Sequence, residues 1–433
     1  MQPIRSKDLQ REAPTLVGWW TVSLLMALAF LCHFNRISMS VAGTEKIMPD
    51  FGVSEVRMGT IYSAYLFVYT LFMMPGGWLI DRLGAKFALG LMAFGSALLV
   101  FATGAVGWLA AAASFVPALF VVRASLGLVS VPMHPGAARA VALWIPVDSR
   151  VLANSLVGAA ALVGIAGTYY LFGSLIDAFG WPLAFVISSI VTLAVALVWV
   201  LGTASRPATA AEPAEVDAVE IADQSMATSD SRDALAEWLS LLANRSVVFL
   251  TLSYAAVGYF QYLFFFWLQY YFEKVLKLGK DDGRWYTTIP MLAMAAGMFA
   301  GGWIADWIGQ RVEPFRGRAL VAMVGMVGGA LLLFCGVLAQ EPVWVVTWFS
   351  CSMALVGMSE GPFWTTAVEL GGEQGGMSAA IINTGGNAGG ILAPVVTPWL
   401  STYLGWQGAV PVAGAVCLAG AVLWIWIRPT RQR

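Results

Sequence analysis

Apolar runs of about 18 residues or more recur along the whole length of this chain. Each is long enough to cross a bilayer as a helix, because a helix rises about 1.5 Å per residue and the hydrocarbon layer is about 30 Å thick. A chain patterned this way cannot bury all its apolar surface as a water-soluble globule. Charge agrees: 11% of residues are charged, against about 25% in soluble proteins. Mean hydropathy is +0.75. The pattern predicts an all-α membrane protein with about twelve spans, at roughly 17–43, 58–80, 86–106, 113–143, 151–175, 182–202, 247–272, 285–305, 318–338, 343–368, 377–400 and 407–427.

Between the sixth and seventh runs the composition changes. Residues 203–245 are rich in Ala, Glu, Asp, Ser and Pro and cannot bury a core, so they read as a linker. The end of this linker, DALAEWLSLLANR, has apolar residues at helical spacing and suits the membrane interface. The expected organisation is a tail (1–16), a six-helix bundle (17–202), the linker (203–245), a second six-helix bundle (246–428) and a short tail (429–433). The polar leader is followed by a run too long for a signal peptide and reads as retained. Lys and Arg gather at the N-terminus, the second-to-third connection, the linker, the eighth-to-ninth connection and the tail. By the positive-inside rule these are cytoplasmic, in a multi-pass protein of the cell membrane. The connection after span seven breaks the pattern, with Lys274, Lys277, Lys280 and Arg284 beside Glu273, Asp281 and Asp282.

Two segments repeat. GGWLIDRLGAK, from Gly76 to Lys86, recurs as GGWIADWIGQR, from Gly301 to Arg311, so that Asp81 matches Asp306 225 positions on. The pair Gly180–Trp181 recurs as Gly405–Trp406 at the same shift. The chain therefore reads as two similar halves, repeated about an axis along the membrane normal.

GGWLIDRLGAK resembles the signature loop between spans two and three of the major facilitator superfamily, with Gly77, Asp81, Arg82, Gly84 and Lys86 at its positions. The resemblance implies a gating element whose charges latch one conformation, with Asp306 and Arg311 in the second copy. A turn that merely reverses the chain is the plainer alternative. Four further segments, SAYLFVYTLFMMPGG, RASLGLVSVPMHP, YFQYLFFFWLQYY and INTGGNAGG, are similar to the anion:cation symporter family. That family includes sugar-acid and carboxylate importers, and the resemblance implies a small organic anion as substrate, often moved with a proton.

The segment LCHFNRISMS places polar residues inside span one. An arginine at membrane depth is costly by a few kcal/mol and needs water, a counter-charge or an anion. Arg36 thus reads as a substrate anchor or as part of a structural polar network; a guanidinium grips a carboxylate with two hydrogen bonds. Arg123 matches the family's arginine seven residues before an acid, but Ser130 stands at the acid's position, and Asn35 stands where span one should carry an aspartate. With both family acids absent, the candidates for proton binding become His33, His134 and Glu360. His33 and His134 are the only two histidines. Glu360 pairs with Ser130 when GMSEGP is set against GLVSVP. Tyr65, Tyr69, Tyr259, Tyr262, Trp364, Asn383 and Asn387 complete the expected lining by resemblance, with Met73 where the family has a glutamine. Each also has a packing reading.

No P-loop, metal-ligand spacing or nucleophile pattern is present in the sequence, so the chain reads as no enzyme and needs no cofactor. The four cysteines read as small packing residues. The expected partners are an organic anion, a proton and the lipid bilayer. Nucleic acid is not expected, and the chain reads as a monomer. Proton-coupled transport, uncoupled exchange and efflux of an amphipathic compound remain open, and a transporter-like receptor is the non-transport alternative.

Overall fold

A computed structural model describes residues 16–73, 75, 80, 82–109, 112–203 and 241–428. Among the described residues, ten helical segments are long and apolar enough to cross a membrane. One of them, Gly375–Trp426, holds two spans joined at Gly405, where φ is +67°. The 17-residue helix Glu55–Leu71 lies between spans one and three and is the second span. The described residues thus hold twelve spans. Span one is Leu16–Phe51, span three Ala85–Leu109, span five Leu152–Phe179 and span six Trp181–Gly202. Spans seven, eight and nine are Arg245–Val275, Lys280–Gly309 and Pro314–Leu338. Most of the linker, 204–240, lies outside the described residues, as do most of the two tails; of its amphipathic segment only 241–245 are described.

Spans four and ten are each interrupted, span ten beside Gly361 and Pro362, residues that loosen a helix, and span four where a continuous helix was expected. Span four is Ala112–Ser130 followed by Met133–Trp144, with a turn at Val131 and Pro132. Span ten is Pro342–Gly357 followed by Glu360–Gly371, with a turn at Met358 and Ser359. Proline removes a helix hydrogen bond and clashes with the preceding turn, which explains the break at Pro132. The two breaks fall at matching places in the two halves.

The repeat is also visible in backbone geometry. Gly180 and Gly405 have φ/ψ of 77°/158° and 67°/169°. These are conformations open mainly to glycine, and each turns the chain into the last span of its half. Spans one and seven each carry a π-helical turn near the same end, GTEKI (Gly43–Ile47) and YFEKV (Tyr271–Val275).

The halves meet along three pairs of spans: one with seven, two with eleven, and five with eight. At the second pair a Cβ on Gly59 would stand 1.9 Å from the Pro394 carbonyl oxygen, so only glycine permits this crossing. Large aromatic residues, including Phe260, Phe264, Phe266 and Trp267, fill the interior of span seven. Of the cysteines, Cys417 is buried and Cys32 partly so, whereas Cys335 and Cys351 are exposed on the outer surface and do not pack inside.

Candidate functional site

Span one brings Arg36 to the contact between the halves. Its guanidinium donates to the Tyr262 hydroxyl of span seven and lies 4.8 Å from the Tyr262 ring centre and 5.2 Å from that of Tyr65. Arg123, 1% exposed, donates to the backbone carbonyls of Asn35 (3.0 Å) and Arg36 (2.5 Å). Among the described residues, no carboxylate stands within 4.0 Å of either arginine. The Nε of each is buried without a hydrogen-bond partner. Two positive groups at membrane depth are thus held by aromatic faces, one hydroxyl and backbone carbonyls, which leaves net positive charge in a region of low dielectric.

Tyr65 and Tyr69 stack at 6.2 Å beside Arg36. Asn383 and Asn387 share one face of span eleven and reach the Met73 sulfur of span two at 3.8 and 3.4 Å. Three expected lining residues are engaged by other parts of the bundle, although Ser130 stays beside Tyr65. The Asn35 amide donates to the Thr192 hydroxyl (2.9 Å) and accepts from the Ser188 hydroxyl (2.6 Å), so its side chain belongs to the seam with span six. The Ser130 hydroxyl returns to the Leu126 carbonyl of its own helix (2.7 Å). The Tyr259 hydroxyl meets Thr397 (3.0 Å) inside the second half.

Glu360 follows the turn of span ten. It accepts from the Tyr254 hydroxyl (2.9 Å) and the Gln261 amide (2.6 Å), both of span seven, and no cation of the described residues lies within 4.0 Å. Trp364 packs edge-on against Tyr254. His33 and His134 stand together, with ring centres 5.3 Å apart, and His33 Nδ1 lies 3.0 Å from the Ala29 carbonyl oxygen.

Gly77 and Asp81 of the expected gating loop lie outside the described residues. Of the others, Arg82 is exposed, Gly84 turns the chain with φ +78°, and the Lys86 ammonium donates to the Thr203 carbonyl (2.5 Å). In the second copy Asp306 is exposed, and Arg311 stacks 3.5 Å over the Trp307 ring.

A second polar cluster, which sequence reasoning missed, closes the end of the molecule opposite the linker. Arg284, 1% exposed, grips both oxygens of Glu45 at 2.8 and 2.7 Å, Asp177 at 2.5 Å and the Gly173 carbonyl at 2.9 Å. The Gln269 amide nitrogen bridges Glu45 and Glu273 at 2.7 Å each, and Tyr270 donates to Glu55 at 2.5 Å. Arg284, Gln269, Tyr270 and Glu273 belong to the second half, and their partners Glu45, Glu55 and Asp177 to the first. Charge in the connection after span seven, which violates the positive-inside pattern, is explained in part by this burial. A signal existed in the sequence: the dipeptide Glu45–Lys46 recurs as Glu273–Lys274, 228 positions on. Gln261 was missed too, although it precedes Tyr262 as Asn35 precedes Arg36.

Comparison with known proteins accounts for this architecture. Residues 25–381 match the model of the Major Facilitator Superfamily. The Bacillus subtilis protein named "Probable galactarate/D-glucarate transporter GudP" is 26% identical over 97% of this chain and 94% of its own length. The Cupriavidus necator protein named "Probable sulfoacetate transporter SauU" is 25% identical over 94% and 93%. Among solved structures, a bacterial homologue of the human lysosomal transporter Spinster superimposes with a TM-score of 0.78 at 15% identity, covering 96% of this chain and 97% of that one. With twelve spans, two repeated halves and a family model matched across most of its length, this chain is a membrane transporter, not an enzyme, and belongs to the Major Facilitator Superfamily.

Proposed function

We propose that the chain is a secondary transporter of a small organic anion, a carboxylate or sugar acid, moved by alternating access of the two halves. The observation that carries the reading is the pair Arg36 and Arg123, buried where the halves meet and without a carboxylate partner among the described residues. An anion entering between the halves would supply the missing counter-charge, with Arg36 as its anchor and Arg123 holding the helix backbone beside it. Tyr65, Tyr69, Tyr262, Asn383 and Asn387 would offer hydroxyl and amide contacts. Relatives named for galactarate, glucarate and sulfoacetate transport support this substrate class. Glu360 is the candidate proton carrier: it is an interior carboxylate held by a hydroxyl and an amide and lacks a cation. The charge bias supports a cytoplasmic location for the termini and linker of a cell-membrane protein.

Purified protein in liposomes, screened first for thermal stabilisation by organic acids and then for flux, tests the reading. Arg36→Ala should abolish flux of the stabilising acid, and Arg36→Lys should restore less than a tenth of it. Undiminished flux in Arg36→Ala would remove the anchor. The uncoupled alternative draws on Asn35 and Ser130, which fill the family's acid positions and are bound within the helix bundle. It predicts equilibration without uphill accumulation under an imposed pH gradient.

A further inference from the structure

The far-end cluster carries more negative charge than its cations balance. Glu45 is paired by Arg284, and Asp177 by Arg284 and Lys280. Glu273, 7% exposed, has no cation within 4.0 Å among the described residues. The charged groups that act on it are Glu45 of span one, Arg284 of span eight and Lys274 on its own turn; Asp177, Lys280 and Asp281 are tied to Arg284 or to one another. Its one described hydrogen bond comes from the Gln269 amide nitrogen.

A second observation is independent of the charge count. The Gln269 side-chain oxygen is buried and has no hydrogen-bond donor, although the residue is 1% exposed and its amide nitrogen touches both glutamates. An orphaned buried acceptor costs about 1–3 kcal/mol. A carboxylate beside it cannot help, because it only accepts. A neutral carboxylic acid can: acid and primary amide pair head to head, amide N–H to one acid oxygen and acid O–H to the amide oxygen. Glu273 lies one helical turn from Gln269 and is placed to complete that pair.

We propose that Glu273 and Gln269 form a proton-binding site that belongs to the closed state of the far-end gate. A proton from the water at that end bonds to the free oxygen of Glu273, and the resulting O–H donates to the Gln269 oxygen. No other bond is made or broken. When the halves part, Arg284 loses Glu45 and Asp177, which move away with the first half. Arg284 and Glu273 stay in the second half, where a Cβ on neighbouring Gly283 would stand 2.7 Å from the Glu273 side chain. Arg284 then becomes the counter-charge of Glu273, and the proton returns to the side it came from. Acid at the far end therefore holds the gate closed and alkali releases it. This site biases the conformation and does not carry a proton across the membrane. The inference rests on the halves separating at this end and is independent of the cargo.

The test reads the gate itself, without substrate. Spin labels are placed by Asp50→Cys and Gln340→Cys in the full chain, with the four native cysteines replaced by alanine. Distances are then measured between pH 5 and 9. The closed-to-open ratio should fall with rising pH, by up to tenfold per pH unit, as expected for one proton. Glu273→Gln should stay closed at every pH, because its amide can donate where the protonated acid does. Glu273→Ala, which has no group to protonate, should make the ratio independent of pH, which keeps the test decisive if Glu273→Gln fails to fold. A ratio independent of pH in the unmodified gate, an unchanged pH profile in either variant, or closure that follows sodium at fixed pH would each overturn the proposal. Loss of anion flux with this pH profile intact would count against the transport reading alone.

Discussion

Asn35 and Arg36 are adjacent in sequence and face different tasks. Arg36 turns to the second half, whereas Asn35 joins span one to span six through Ser188 and Thr192. Asn35→Leu would strip the Ser188 hydroxyl of its described partner and should lower stability by about 1–3 kcal/mol. A thermal melt would show this, with anion affinity of the folded fraction unchanged. Asn35→Asp puts a carboxylate into the same seam and should not create proton-driven uptake. At Glu360 the expectation is reversed: Glu360→Gln keeps hydrogen bonding to Tyr254 and Gln261 but removes the titrating group. It should preserve anion binding and exchange while abolishing accumulation driven by a pH gradient, as measured in liposomes.

At the scale of elements, the crossing of spans two and eleven depends on the missing side chain of Gly59. Gly59→Val places carbon atoms where the Pro394 carbonyl now sits, so the two spans must separate. The far end should then spend more time open, read as faster labelling of a cysteine at the gate. Helices and their repeat were legible in the sequence because apolar runs of this length permit little else. The breaks in spans four and ten were legible through their prolines: Pro132 stands in one, and Pro362 offers no N–H to the Met358 carbonyl four residues back, where the other falls. Arg36 was legible because a lone charge in an apolar run is costly. The partners of Glu360 were not, since Tyr254 and Gln261 come from another span and only folding brings them together.

For the whole molecule, the far-end ion network and the crossing contacts hold one arrangement of the halves. Removing the bridge with Arg284→Gln leaves Glu45 and Asp177 without their buried cation and should shift the protein towards separation at that end. Breaking a buried pair by removing one partner costs about 3–5 kcal/mol. The closed-state distance between labels at the two halves should lose most of its population. That network escaped the sequence because the partners it joins across the halves lie more than 100 positions apart, and each alone looks like an ordinary loop charge.

Several other bridges between the halves are of a different kind. Ser63 donates to the Ile391 carbonyl, Tyr169 to that of Phe265 and Thr288 to that of Ala166. Helix carbonyls have a second lone pair, so each acceptor keeps its own helical bond when the visiting hydroxyl leaves. Thr288 already shares its hydroxyl with the Arg284 carbonyl one turn back in its own helix. A serine or threonine at such a place trades an external partner for an internal one without passing through an unbonded state. The surface between the halves thus behaves as a bearing with little friction. If the halves rock as proposed, these hydroxyl bridges should add little resistance, and the speed should be set by the charged catch at one end and by the tight crossing of spans two and eleven.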